Sequence, residues 1–265
     1  MMVALDRRGL IGGGLAAAAS AWPTASLAQA SAPAAERLLA AADRIRYPQG
    51  AFRAVNTLVE YAGGKPRDEL RLQIYSKLDP STRSFRTLAK YLAPQRDVGK
   101  LVLFGGTNMW FYDPASKASV RISPQQRLIG QAANGDVVTS NLAEDYTPTL
   151  GGEESVKDAD NQDRQTFRLD LRPRAADAIY GKVQLWIDRA NSRPIKARFY
   201  AQSGNLLKIA FYRRYQTALG ETRPTQTVII DAVVPSRVTT MSMDAWARED
   251  IPETWFQRDY LPQLR

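Results

Sequence analysis

The residues that could do chemistry in this chain are carboxylates and cations, because it holds neither cysteine nor histidine. Without a thiol there is no disulfide, no thiolate metal site, no cysteine nucleophile and no lipid-modified N-terminal cysteine. Without an imidazole, Ser-His-Asp catalysis, the usual zinc sites and the commonest general base are gone. A carboxylate pair, a Ser-Lys pair or an all-oxygen metal site remains. Asp136 and the adjacent Glu144-Asp145 are the carboxylates of interest, and they share a long irregular segment with Arg121 and Arg127. Hydrolysis of a glycoside or ester needs two carboxylates facing one bond, whereas neighbours at i and i+1 on a helix diverge. Arg121, Arg127 and Asp145 pairing across the hinge of a lid is the other use of these charges. Exposed ion pairs of little consequence are commoner than either.

That segment, residues 108–146, is the centre of the chain. It opens with Trp110, Phe111 and Tyr112, turns at Asp113-Pro114 and returns through Val120, Arg121 and Ile122, which reads as two short strands. From Ser123 the period of two stops. Gly130 and Gly135 interrupt, and a short helical pattern covers 141–146. Irregular connections of this length are uncommon in compact domains; they serve as lids or binding loops, or run over the surface.

The elements around it are mostly strands. Residues 34–46 place Leu38, Ala42 and Ile45, joined by Leu39, on one helical face, with Glu36, Arg37, Asp43 and Arg44 opposite. After Tyr47-Pro48-Gln49-Gly50 the period becomes two. Strands are expected at 52–61, 67–77, 84–92 and 101–104, then, beyond the irregular segment, at 146–151, 164–171, 182–188, 194–201, 206–216, 225–232 and 236–243. Strand following strand without helices between them means antiparallel pairing. Val183, Leu185, Ile187, then Ile195, Ala197, Phe199, then Leu207, Ile209, Phe211 give an apolar face; Lys182, Gln184, Trp186, Lys196, Arg198, Lys208 and Tyr212 fall opposite. About ten or eleven strands in one sheet must curl, and a curled sheet with an apolar inner face needs helices or a ligand to fill it. Two packed sheets would satisfy the same alternation.

At 265 residues and 44% hydrophobic content, one substantial core is affordable, and one domain is the default. A formal charge of +9 suits anionic partners, nucleic acid or a membrane surface, but the basic residues are scattered rather than clustered. The N-terminus is more specific. Arg7-Arg8, a Gly- and Ala-rich run over 9–21 and Ala28-Gln29-Ala30 make a signal peptide cleaved between Ala30 and Ser31. The paired arginines suggest the twin-arginine route, with a Sec signal as the alternative. Residues 31–265 are then a single exported domain in the periplasm, not lipid-anchored, and nucleic acid drops out as a partner.

Met109-Trp110, Tyr112, Pro114, Arg121-Ile122, Gly135-Asp136 and Glu144-Asp145 stand in the order and spacing of a known motif. They resemble the outer-membrane lipoprotein-sorting proteins, relatives of the periplasmic lipoprotein carrier LolA. Residues 184–188, 193–196 and 203–208, and Ile251-Pro252-Glu253 with Trp255-Phe256 and Leu261, resemble the rest of that family's core, so most of 34–264 is covered. The resemblance implies an unclosed antiparallel half-barrel, similar to LolA and LolB, with helices over its mouth and an apolar cavity for acyl chains. An inner-membrane transporter of the RND type is the implied partner. The region around Gly130 is shorter and less aromatic than the family pattern. The lipobox cysteine of LolB-type proteins is absent, which favours a shuttling carrier over an anchored acceptor.

The expectation is thus a non-enzymatic carrier of lipoprotein acyl chains or other lipid, needing no cofactor and no metal. Trp110, Tyr112, Leu185, Trp186, Phe199 and Phe211 are its candidate cavity residues; Arg121, Arg127, Asp136 and Asp145 are candidates for the lid and hinge. Each aromatic has an ordinary core role as its alternative. A periplasmic scaffold or transporter accessory subunit that binds protein is the competing function. An outer-membrane barrel is disfavoured by Lys182, Lys196 and Arg198 on the outward face.

Overall fold

A computed structural model of the protein describes residues 26–105, 108–138, 141–176 and 178–264, with side chains from residue 34 onward. Most of the expected signal peptide therefore lies outside the described residues. Helix α1 (Ser26–Arg46) leads into β1 (Phe52–Ala62), β2 (Lys65–Leu78), β3 (Phe85–Ala93), β4 (Leu101–Gly105), β5 (Asn108–Asp113) and β6 (Ala118–Ile122). A crossover comes next, made of a small ribbon, β7 (Arg127–Ile129) and β8 (Ala132–Ala133), and two single-turn helices, α2 (Asn134–Val137) and α3 (Leu142–Asp145). The second half runs β9 (Tyr146–Lys157), β10 (Asp163–Pro173), β11 (Lys182–Asp188), β12 (Pro194–Tyr200), β13 (Leu206–Ala218), β14 (Glu221–Asp231) and β15 (Arg237–Arg248), ending in 3₁₀ turns at Glu253–Phe256 and Arg258–Gln263.

Thirteen strands form one antiparallel sheet in the order β6-β5-β4-β3-β2-β1-β15-β14-β13-β12-β11-β10-β9. The expected ten or eleven is an undercount: the eleven other segments are all present, and the two short strands of the Trp110 hairpin, β5 and β6, bring the total to thirteen. Each half is a meander of hairpins. The halves join where β1 pairs with β15, Leu58 opposite Met241, so the free edges are β6 and β9. The sheet is not closed between those edges. Ile129, Ala132, Val137 and Leu142 of the crossover pack on the inner face of the sheet.

A single core cluster draws on Leu58, Leu72 and Ile74 from one half and Leu169, Leu185 and Ile187 from the other, so the sheet wraps around its contents. Sheets of this width cannot stay flat once each strand twists. Helix α1 fills part of the trough with Ala35, Leu39 and Ala42, all fully buried. That face is rotated from the expected one: Asp43 and Arg46 lie inside, with Leu38 and Ile45 at its margin. Burying a leucine such as Leu39 contributes about 1.5–3 kcal/mol. The last carbonyls of α1 have no partner within the helix; Arg223 Nη1 donates to Arg44 O at 2.7 Å and Ile45 O at 3.3 Å.

The outer face of β2–β5 is covered by the C-terminal segment. Leu88, Leu101, Leu103, Tyr112 and Leu261 form a second cluster there, with Tyr75, Trp110, Trp255 and Phe256 packed on it. Trp255 meets Tyr75 edge-on at 5.1 Å, and Glu253 pairs with both Lys77 and Arg86 at 2.6 Å. Among the described residues no helix is long and apolar enough to cross a membrane.

Candidate functional site

A cavity of about 240 Å³ lies between the inner face of β12–β15 and the crossover. Its floor is Phe199, Ala210, Tyr212, Ile229, Met241 and Met243, which alternate inward along four adjacent strands, with Thr225 and Thr227 of β14 and Lys208 of β13 on the same face. Its cover comes from α2, α3 and residues 174–175 and 178–180, with the end of α1 at one side through Arg46 and Tyr47. The floor is mainly apolar, broken by the two threonines, and adaptable, the two methionines being unbranched and polarizable.

The cover is fastened at named points. The ribbon turn sits on the sheet because Gly130, at φ +52°, has no Cβ, and one placed there would overlap Thr239 Oγ1. The same hydroxyl accepts the Gln131 N–H at 2.8 Å. Helix α2 reaches close to Ile179 at Gly135 for the same steric reason. Helix α3 is held by Asp43, which accepts the Ala143 N–H at 2.7 Å, and by an Arg83–Glu144 ion pair at 2.5 Å on the surface. Tyr146 holds Tyr180 in place: its hydroxyl donates to Tyr180 O and accepts from Tyr180 N–H, both at 3.2 Å.

Two polar clusters interrupt the apolar lining. In the first, Lys208 of β13 pairs with Asp136 of α2; their side chains are 6% and 11% exposed. Asp136 also accepts from the Tyr180 hydroxyl at 2.5 Å and the Ala133 N–H at 2.7 Å. The Lys208 ammonium lies 5.0 Å from the Tyr180 ring centre and 5.6 Å from that of Phe199. Burial and the neighbouring Asp136 raise the Tyr180 phenol well above its ordinary range, so it stays a donor. In the second cluster, Asp43 pairs with Arg46 at 2.6 Å. Burial lifts the Asp43 carboxyl against the pull of Arg46. Asp145 is solvent-exposed at the rim of the cavity, and its carboxyl is pushed up to about 6, first by partial desolvation and then by the Asp43 charge.

Of the cavity candidates, Phe199 lines the space and Leu185 packs in the core cluster beneath it. Trp110, Tyr112, Trp186 and Phe211 lie on the outer face. In β5 it is Met109 and Phe111 that point inward, so Trp110 and Tyr112 meet the C-terminal segment, with Arg258 over the Trp110 ring at 5.0 Å. Trp186 is stacked beneath Lys196 and Arg198, and Lys196 also covers Phe211. The expected phase of β13 is reversed: pairing of Phe199 with Lys208 and Ala197 with Ala210 turns Lys208, Ala210 and Tyr212 inward. Of the lid candidates, Asp136 and Asp145 border the cavity. Arg121 is exposed opposite Trp110 on the edge strand, and Arg127 is exposed near Glu60, Arg67 and Arg237. Arg121, Arg127 and Asp145 therefore do not meet. Sequence reading missed Lys208, Tyr180, Asp43 and Arg46; a lysine at an inward position among apolar neighbours would have been the signal, had the strand phase been right.

A family model described as "Uncharacterized protein" matches residues 84–263. No curated protein matches the sequence. The fold is similar to the crystal structure of a LolA superfamily protein from Nitrosomonas europaea, at 33% identity and TM-score 0.76 over 85% of this chain and 98% of that one. It is also similar to a domain from Vibrio parahaemolyticus assigned to outer membrane lipoprotein sorting, at 19% identity and TM-score 0.72, covering 87% and 99%. A DUF1329 family protein from Desulfovibrio piger matches at 21% identity and TM-score 0.72, again covering 87% and 99%.

Proposed function

The chain belongs to the LolA superfamily, and on that premise we propose that it is a periplasmic carrier holding acyl chains of a lipoprotein or another envelope lipid. The observation that carries this reading is the covered cavity with a mainly apolar floor on an unclosed sheet. A flat sheet edge or a filled core would offer no such space. Residues 1–30 act as the export signal, by the twin-arginine or the Sec route, and residues 31–265 are the mature carrier. Its docking partner at the inner membrane is an RND-type transporter. Carriage needs no bond chemistry, which suits a chain without histidine or cysteine.

Magnitudes favour reversible carriage. Each buried methylene contributes about 0.8 kcal/mol, so about ten of them reach about 8 kcal/mol before the costs of association. That is micromolar holding at best, loose enough to hand cargo to a better acceptor. The cavity is smaller than the roughly 300–1,000 Å³ of ligand-sized sites, so loading a whole chain displaces part of the cover.

Filling the space tests the reading. Ala210→Trp puts an indole into the floor from a position only 2% exposed. Binding of an apolar fluorescent probe such as N-phenyl-1-naphthylamine, and its displacement by a diacyl lipid, should fall at least tenfold. Undiminished binding in a folded variant would place the ligand elsewhere and leave the scaffold reading.

A further inference from the structure

The Lys208–Asp136 pair bears on which lipid the cavity takes, a question that rests on the carrier reading. Lys208 belongs to the sheet and is almost wholly buried, whereas Asp136 belongs to the cover. Among the described residues Asp136 is the one carboxylate paired with Lys208, whose remaining contacts are Gln131 O at 3.4 Å and two aromatic rings. Asp136 is less dependent on the pair, since Tyr180 and the Ala133 N–H hold its two oxygens. A ligand anion at the cavity wall could thus take Lys208 while Asp136 keeps two donors. A neutral head group that parts the pair would strand a buried cation. We propose that Lys208 is a head-group site for an anionic amphiphile, carboxylate or phosphate, and that Asp136 occupies that site as an internal substitute when cargo is absent.

The test uses cis-parinaric acid and its methyl ester at pH 8, followed by fluorescence. The wild-type protein should bind the acid about tenfold more tightly. Lys208→Met should abolish that preference by weakening the acid alone, the ester reporting that the cavity is still folded. Asp136→Asn removes the competitor and should tighten the acid severalfold, with the ester unchanged. Displacement by palmitate, lysophosphatidylglycerol and uncharged monopalmitoylglycerol separates the sources: the anion that competes best names carboxylate or phosphate, and the glycerol ester should compete worst. Equal binding of acid and ester by the wild type, or a preference that survives Lys208→Met, overturns the head-group site while leaving the carrier reading intact. No binding of either probe overturns both.

Discussion

Asp43 of α1 accepts the backbone N–H of Ala143 in α3 at 2.7 Å, joining the first helix to the cavity cover across 100 residues of sequence. The same carboxylate pairs with Arg46, and both side chains are under 10% exposed. Removing the Asp43 carboxylate takes away the Ala143 hydrogen bond and one of Arg46's partners, while Arg46 keeps its place over the Tyr47 ring at 5.1 Å. The loss is about 1.5–3 kcal/mol. Asp43→Ala should therefore lower unfolding stability by about that amount in urea titration. A loss under about 1 kcal/mol would mean that the cover is not held through α1.

Asp145 predicts a pH dependence of defined sign. Its carboxyl is raised from 3.8 to about 6 in the fold, so between about pH 4 and 6 the folded state binds more protons than the unfolded one. Its contribution to stability is full below about pH 4 and is lost as pH rises through about 6. Because Asp145 is exposed to solvent, screening keeps the change small, on the order of 1 kcal/mol. Asp145→Asn should flatten this slope and be the more stable form at neutral pH. The carboxylates held low, such as Asp79, Asp158 and Asp231, act below this window. Identical pH profiles for variant and wild type would contradict the assignment.

The alternating pattern is legible in the sequence; its phase is not. Strand β11 is expected at its observed bounds, because Val183, Leu185 and Ile187 alternate with polar residues on both sides. In β5 both parities are apolar or aromatic, so alternation alone cannot say which face is buried, and in β13 Leu207, Ile209 and Phe211 look the more apolar set only because the inward parity carries Lys208. Trp110 reads as inward as an aromatic and Phe211 by its alternation with Lys208, yet the outer face is also apolar where the C-terminal segment or a lysine stem covers it. Asp43 and Lys208 read as solvated for the ordinary reason that buried charges are rare. Each is buried only because a partner distant in sequence meets it, which no local pattern encodes.

The phase of the strands has its own test. Phe199→Ala should weaken binding of an acyl probe about tenfold, since the ring lines the cavity. Phe211 lies on the opposite face under Lys196, so Phe211→Ala should leave probe affinity within twofold. The reverse pattern would restore the expected inward phase of β13.

Gly130 tests the fastening of the ribbon. Gly130→Ala combines a left-handed backbone with overlap onto Thr239, whereas Gly204→Ala meets nothing within 4 Å at φ +86°. Left-handed strain costs about 1–2 kcal/mol at either site. Gly130→Ala should cost at least about 1 kcal/mol more by thermal or urea unfolding. Equal costs would show that the ribbon does not bear on the sheet.

The most direct measurement is native mass spectrometry of the mature protein isolated from a periplasm, followed by lipid extraction. A fraction of the molecules should carry one acyl-chain species, displaced by excess lipid and missing from Ala210→Trp. Protein that arrives empty and also ignores added lipids and lipopeptides would contradict the carrier reading.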